Sequence, residues 1–203
     1  MRNYKYPKEG YTIPKTRLKG WRKVGKTHLA DYDIFSIYRV ESESPRTGKT
    51  IPFHILECGL WTNIFPVTPN HEVVMIRQYR HGTERITLEI PGGLVEQGET
   101  PAHAARREMM EETGYDSETI VPLGYVEPNP AFISNRCHSF LSPGAVPVGH
   151  QSLDHGEDIE TVNVPMDQLD SLVADGTITH SLVVAAIYLL ELHIRQHPDW
   201  DRI

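Results

Sequence analysis

The chain has 203 residues, of which 39% are hydrophobic and 23% charged, and its formal net charge is −7. This composition allows one substantial core, while the negative charge and the absence of a long basic run argue against a binder of duplex nucleic acid. No apolar run reaches the roughly 18 residues of a membrane span, and residues 1–10 lack the apolar segment of a secretory signal. We therefore expect a cytoplasmic protein that binds no membrane, with Cys58 and Cys137 as reduced thiols.

The beginning of the chain indicates an arm followed by a small antiparallel β-sheet. Residues 1–20 are basic and rich in Gly and Pro, which is typical of an arm. β-forming residues dominate 21–40 and 50–58, and the turn-forming residues 44–49 between them predict a hairpin. Because residues 1–58 have too little core to stand alone, we expect them to be an N-terminal extension of a domain formed by residues 59–203.

The rest of the chain alternates between strand and helix patterns. A turn is predicted at Pro91-Gly92-Gly93 and a polar loop over residues 144–156. The predicted strands cover residues 61–67, 72–79, 87–90, 119–126, 137–141 and 160–164, and the predicted helices cover 100–113, 166–174 and 180–195. This order favours an α+β fold in which helices cover a mixed sheet.

The helix predicted over residues 100–113 has clear boundaries. Thr100 is a capping hydroxyl, Pro101 occupies the first helical position, and Gly114 is a typical helix stop. A turn rich in glycine precedes the helix, and such a turn lets the backbone approach a ligand closely.

Three carboxylates share one face of this helix. Glu108, Glu111 and Glu112 lie at positions i, i+3 and i+4, where like charges repel one another. Such clustering favours a bound cation, and oxygen ligands select hard ions, so Mg²⁺ is expected, with Mn²⁺ as the alternative. The competing interpretation is a solvated acidic face, balanced by Arg106 and Arg107.

The acidic helix and the glycine turn form one continuous pattern. It consists of Gly93, five residues, Glu99, seven residues, Arg107-Glu108-Met109, one residue, Glu111-Glu112, one residue, and Gly114-Tyr115. This pattern resembles the Nudix box at every fixed position, with Met109 and Tyr115 standing where an aliphatic residue is usual. The resemblance implies the α/β/α sandwich of Nudix hydrolases and metal-dependent cleavage of a nucleoside diphosphate linked to another group.

The resemblance also implies roles for residues of the box. Glu108 and Glu112 would bind the metal, with Glu111 as a supporting ligand and catalytic residue and the carbonyl of Gly92 as a further ligand. Glu99 and Arg107 would form an ion pair that holds the loop to the helix.

Segments outside the box are similar to the ADP-ribose pyrophosphatase branch of that family, which includes hydrolases of GDP-mannose and other nucleotide sugars. They are residues 74–80, 88–93, 127–130 and 176–182. By this resemblance the substrate-binding residues are Arg80 on the diphosphate, Glu89, Pro130, and Trp21 and Phe53 stacking on the base. The alternatives are a surface arginine at a strand end for Arg80 and core positions of the small sheet for Trp21 and Phe53.

A general base is expected on an acidic loop. Glu157 matches the loop glutamate of this branch, with Asp154, Glu160 and His155 as rivals. The competing interpretation is an ordinary acidic surface loop.

The sequence thus favours Mg²⁺-dependent hydrolysis of ADP-ribose, GDP-mannose or related nucleotide sugars to a nucleoside monophosphate and a sugar phosphate. A second hypothesis keeps the enzyme but replaces the substrate with a dinucleoside polyphosphate, a coenzyme or an oxidised nucleotide. A third, disfavoured by the intact carboxylates, is a sensor that binds nucleotide sugars without cleaving them. The branch also implies a homodimer whose N-terminal sheets swap across to complete each other's sites.

Overall fold

The computed structural model describes residues 13–200. It contains a three-stranded sheet, a seven-stranded mixed sheet and a two-stranded ribbon. The strands are β1 Arg22–Tyr32, β2 Phe35–Glu43, β3 Thr50–Cys58, β4 Trp61–Val67, β5 Glu72–Arg80, β6 Arg85–Glu89, β7 Gly92–Leu94, β8 Tyr115–Asp116, β9 Val121–Val126, β10 Cys137–Pro143, β11 Val146–Pro147 and β12 Ile159–Pro165. The helices are α1 Pro101–Thr113, α2 Leu169–Ala174 and α3 Ser181–Gln196. Of the predicted arm, residues 1–12 lie outside the described residues, and residues 13–20 are exposed without regular structure.

The N-terminal sheet is antiparallel, in the order β1-β2-β3. The hairpin between β2 and β3 confirms the prediction, and the backbone N–H of Ser44 closes its turn by donating to the carbonyl of Lys49 (2.9 Å). The expectation of one strand-like stretch over residues 21–40 was wrong. The chain reverses at Asp33 and Ile34 and forms two strands, because β-forming residues on both sides of a tight turn give a continuous signal.

The large sheet has the central order β12-β5-β4-β10-β9, with β4 and β10 parallel and the neighbouring pairs antiparallel. Successive residues of β4 point to opposite faces. Ile64 packs towards α1 with Ala105 and Met109, whereas Phe65 belongs to the larger core that α3 covers. The helix–sheet–helix sandwich and the α+β class are therefore confirmed, and the long apolar runs of β4 and β5 follow from burial on both faces.

Strands β4 and β5 pair at Val67 and Val73 and then separate. Strand β6 pairs with β5, and β7 pairs with β4, so both short strands occupy the gap. The predicted turn at Pro91-Gly92-Gly93 is corrected here, because the chain bends at Pro91 while both glycines lie in β7. The gap places the glycines beside α1.

The helices agree with the predictions except at their ends. α1 has the predicted limits, with the Thr100 side chain accepting from the N–H of His103 and Gly114 in the left-handed conformation (φ 72°). A 3₁₀ turn at Met166–Gln168 precedes α2, and His180 caps α3 instead of belonging to it. The predicted polar loop over 144–156 contains β11, which pairs with β8. Within residues 13–200, no helix combines the length and apolarity needed to cross a membrane.

Candidate active site

The acidic face of α1 is turned inwards. Glu108 and Glu112 retain 9% and 2% of their accessible surface, although both are carboxylates. The Glu111 side chain is 40% exposed and pairs with Nη1 of Arg107 (2.9 Å). This burial contradicts the alternative of a solvated acidic face, since water reaches little of the two carboxylates that α1 directs towards the sheet.

Gly92 and Gly93 bring the backbone of β7 against these carboxylates. The N–H of Gly92 donates to Oε2 of Glu112 (2.8 Å). A Cβ atom at position 93 would lie 2.3 Å from Oε1 of Glu108, and one at position 92 would lie 2.3 Å from the carbonyl oxygen of Thr62. Position 92 therefore requires glycine, because the clash there is with backbone, whereas a side chain at position 93 would displace the Glu108 carboxylate.

Burial disfavours the ionised form of the two carboxylates. It raises the pKa of Glu108 to about 7 and that of Glu112 to about 8. The negative charge of Glu157 raises both pKa values further, and the negative charge of Glu108 raises that of Glu112. Buried, mutually repelling carboxylates are the environment in which a bound cation restores the charged form.

The donor set fits a divalent cation only in part. Among residues 13–200, no three histidine, cysteine or acidic side chains converge as a complete metal shell. The Glu108 carboxylate lies against Gly93, in the place where a side chain at that position would begin. Hard cations such as Mg²⁺ commonly take one or two carboxylates and complete their shell with water and phosphate oxygens, so the residues present fit such an ion.

Arg107 hydrogen-bonds to three carboxylates of the predicted Nudix box. It donates from Nε and Nη2 to the two carboxylate oxygens of Glu99, both at 3.2 Å, as the Nudix resemblance implied. Its Nη1 also reaches Glu108 and Glu111, each at 2.9 Å. The guanidinium therefore holds the loop to the helix and partly neutralises the carboxylates of Glu108 and Glu111.

Arg80, at the end of β5, makes a bidentate pair with Glu89, with distances of 2.8 and 2.7 Å. Thr87 donates a further bond to Glu89 (2.6 Å). Although burial opposes it, hydrogen bonding to Arg80 and Thr87 lowers the pKa of Glu89. Arg80 is thus a fixed, partly exposed cation, and Glu89 orients it.

His180 is a site residue that the sequence did not single out. Its Nδ1 accepts from the N–H of Leu182 (3.3 Å), which leaves Nε2 directed at Glu89, 3.8 Å away. Burial lowers the pKa of His180. The signal available in the sequence was its position at the start of the predicted final helix, where a capping side chain is expected.

A cavity of about 300 Å³ opens where β4 and β5 separate. It is lined by Ile34, Trp61, Thr62, Asn63, Arg80, Glu89, Ile90, Gly92, Gly93, Leu94, Cys137, His180, Leu182 and Val183. The cavity therefore joins the Arg80–Glu89 pair to the glycines that contact the buried carboxylates. Its mixed polar and apolar lining is typical of a small-molecule site.

The acidic loop before β12 contributes one residue to this environment. Glu157 lies within electrostatic reach of the site, because its charge acts on Arg80, Glu108 and Glu112. Within the loop its Oε2 accepts from the N–H of Asp154 (3.0 Å). The rival Glu160 pairs instead with Arg77 on an exposed surface (3.1 Å).

Three predicted substrate-binding residues do not line the cavity. Trp21 and Phe53 touch edge to face, with ring centroids 5.6 Å apart, and both are exposed, so neither is a core residue of the small sheet. Phe53 precedes Cys58 by five residues of an extended strand, which places it about 17 Å along the sheet from the end that carries Ile34. Pro130 lies in an exposed turn after β9.

The chain is similar to known proteins along most of its length. Residues 62–186 match the model of the NUDIX domain. The chain is 27% identical over 172 residues to an ADP-ribose pyrophosphatase of Bacillus subtilis, covering 84% of this chain and 92% of that protein. It is 32% identical over 144 residues to an ADP-sugar pyrophosphatase of Mus musculus, covering 66% of each.

The solved structure of an ADP compounds hydrolase has the same fold. It superposes with a TM-score of 0.78 at 21% sequence identity, covering 90% of this chain and 98% of that one.

Proposed function

Because the chain belongs to the Nudix hydrolase family, we propose that it hydrolyses the diphosphate bond of ADP-ribose and related nucleoside diphosphate sugars. The products are a nucleoside monophosphate and a sugar phosphate. The observation that carries this proposal is the buried pair Glu108 and Glu112 beside the glycines of β7. The names of the relatives, which refer to ADP-ribose and ADP-sugars, support the choice of substrate.

Divalent metal is a general requirement of this family, and Mg²⁺ is the ion that we propose here, with Mn²⁺ as a substitute. Glu108, Glu112 and the carbonyl of Gly92 would hold it, with Glu111 as a supporting ligand that must first leave Arg107. A bound cation of this kind neutralises diphosphate charge and lowers the pKa of a coordinated water. The carboxylates that burial keeps partly protonated would then become fully ionised.

Arg80 is proposed to contact the diphosphate. Its pair with Glu89 fixes the direction of the guanidinium, and one edge of the cavity is formed by these two side chains. A planar guanidinium suits phosphate oxygens. Because the hydrogen bonds of Glu89 go to Arg80 and Thr87, Glu89 is better described as a positioning residue than as a direct substrate ligand.

Glu157 is the proposed general base. A water molecule attacks one phosphorus, its proton passes to the Glu157 carboxylate, and the bond between that phosphorus and the bridging oxygen breaks. The bridging oxygen leaves with the other phosphate. Electrostatic coupling of Glu157 to Glu108 and Glu112 supports this role over Asp154 or Glu160.

Residues 1–58 are proposed to be a dimerisation extension, with residues 59–203 as the catalytic domain. The N-terminal sheet joins the large domain through Leu56, which exchanges backbone hydrogen bonds with Phe132 (2.8 Å) and Ser134 (3.1 Å). Its aromatic pair, Trp21 and Phe53, is exposed and distant from the cavity of the same chain. These features support a homodimer in which the pair, and the Pro130 turn with it, serves the partner's site.

A substrate panel tests the proposed function. Purified protein with Mg²⁺ is offered ADP-ribose, GDP-mannose, other nucleotide sugars, dinucleoside polyphosphates, coenzymes and nucleoside triphosphates, and phosphate is measured after treatment with a phosphatase. We expect the highest kcat/KM for nucleotide sugars, with a preference for triphosphates or dinucleotides contradicting the proposal. Glu112→Gln should lose activity at least about 100-fold while remaining folded, whereas Glu118→Gln, which changes an exposed acid outside the site, should be normal.

A further inference from the structure

Asn63 is a polar residue in an apolar setting. It lies on β4 and retains 6% of its accessible surface. Side chains two residues apart on a strand share a face, and Phe65, the next residue on that face, belongs to the core beneath α3. Within residues 13–200, Oδ1 of Asn63 is buried without a hydrogen-bond partner. A buried carbonyl oxygen without a partner is unfavourable, so its retention needs an explanation.

The position of Asn63 connects the cavity to the buried carboxylates. The residue lines the cavity together with Arg80, Glu89 and His180. It also pairs with Gly92 across β4 and β7, and the N–H of Gly92 is the one bonded to Glu112. A molecule in the cavity whose phosphate lies at the carboxylates would therefore present its nearest substituents to Asn63.

Oδ1 of an asparagine accepts hydrogen bonds and is repelled by phosphate oxygens, so the partner must be a donor. The sugars on both sides of the diphosphate carry hydroxyls at a similar distance from phosphorus. The nucleotide sugar lies towards the base, whose proposed stacking residues come from the partner's N-terminal sheet, so the cavity lined by this chain is left for the other sugar.

We propose that Asn63 is a specificity-determining residue whose carboxamide oxygen accepts a hydrogen bond from a hydroxyl of the sugar in the non-nucleotide half of the substrate. This inference rests on the proposed hydrolysis of nucleoside diphosphate sugars. It assigns the cavity to the sugar phosphate half and adds a contact that requires hydroxyls on that half of the substrate.

The test compares two substrates that differ in that sugar. ADP-ribose contains it, and the ethyl ester of ADP keeps the nucleotide and diphosphate but lacks its hydroxyls. Asn63→Ala should lower kcat/KM for ADP-ribose about tenfold, the effect of one hydrogen bond to a neutral group, and leave the ethyl ester within about twofold of wild type. If Asn63→Ala does not fold, Asn63→Ser retains a small polar group, and the same loss confined to ADP-ribose is expected.

Asn135 supplies a matched control. Its Oδ1 is also buried without a partner among residues 13–200, but Asn135 does not line the cavity. Asn135→Ala should change kcat/KM for both substrates by the same factor. An equal loss on both substrates in the Asn63 variants, or no loss on ADP-ribose, would overturn the role of Asn63 alone. Wild-type protein that cleaves neither substrate would overturn the proposed function, and with it this inference.

Discussion

Burial changes the ionisation behaviour of the carboxylates of α1. On a solvated helix face, Glu108, Glu111 and Glu112 would repel one another by a few tenths of a kcal/mol per pair. Glu108 and Glu112 are instead buried, and their pKa values rise to about 7 and about 8. The repulsion is then coupled to desolvation, and neutral pH leaves the pair partly protonated unless a cation is present.

The role of Glu157 gives a prediction at the same scale. Glu157→Gln should reduce kcat by about 10²–10⁴, the usual contribution of a general base, with KM nearly unchanged because the substituted amide has the same shape. Steady-state kinetics with ADP-ribose at saturating Mg²⁺ measures both values. Glu160→Gln is the control, because Glu160 pairs with Arg77 away from the site. A normal kcat in Glu157→Gln would move the base to another residue.

At the scale of elements, the site depends on the contact between β7 and α1. Strand β7 fills the gap between β4 and β5, and its glycines allow Glu108 and Glu112 to approach the backbone. Arg107 bonds the carbonyl of Leu94 (3.0 Å) and both oxygens of Glu99, so the loop between β7 and α1 is held at two points. The carboxylates are therefore positioned by the strand and the loop as well as by the helix.

Gly93→Ala tests this contact. The added Cβ would lie 2.3 Å from Oε1 of Glu108, so the carboxylate at the end of that flexible side chain must move. We expect a loss of Mg²⁺-dependent activity of at least about 100-fold, because the displaced carboxylate no longer has the geometry needed at the site.

Gly82→Ala is the matched control for that variant. Position 82 has open space around its Cβ direction and no left-handed backbone, so stability and activity should both be retained. Wild-type activity and Mg²⁺ dependence in Gly93→Ala would show that the close approach of β7 is not needed.

At the scale of the whole molecule, the N-terminal sheet is an attached unit whose aromatic pair is exposed. If Trp21 and Phe53 act on the partner's site, a Glu112→Gln chain and a Trp21→Ala/Phe53→Ala chain should complement each other. Each homodimer has two defective sites. A heterodimer has one site with an intact Glu112 and intact aromatic residues, so about half of the wild-type activity is expected from the symmetry of the dimer.

Co-expression of the two chains with different tags, followed by two affinity steps, yields the heterodimer for assay at low ADP-ribose concentration. Both homodimers prepared in the same way are the controls. Activity no higher than the mean of the two homodimers would mean that the aromatic pair acts within its own chain or not at all. A monomer in light scattering would contradict the proposed dimer directly.

Some features could be predicted because they are encoded locally. Thr100, Pro101 and Gly114 set the limits of α1 through the geometry of its own backbone, and the hairpin between β2 and β3 follows from its turn residues. The ion pair of Glu99 with Arg107 was also anticipated, because a fixed spacing on a loop and a helix brings the same groups together wherever the motif occurs. The resemblance to the Nudix family was also recognised from this short segment, Gly93 to Tyr115.

Other features were decided by packing between distant parts of the chain. The sequence places Glu108, Glu111 and Glu112 on one helix face, but only the sheet and β7 determine that two are buried while Glu111 turns to Arg107. The unpartnered carboxamide oxygen of Asn63 had no local signal, because the cavity is formed where β4 and β5 diverge. By itself the sequence determined the motif, its helix and the chemistry of its side chains, since these depend on neighbours along the chain. The tertiary structure alone decided which of those side chains lose water and which share a cavity, since desolvation depends on neighbours in space.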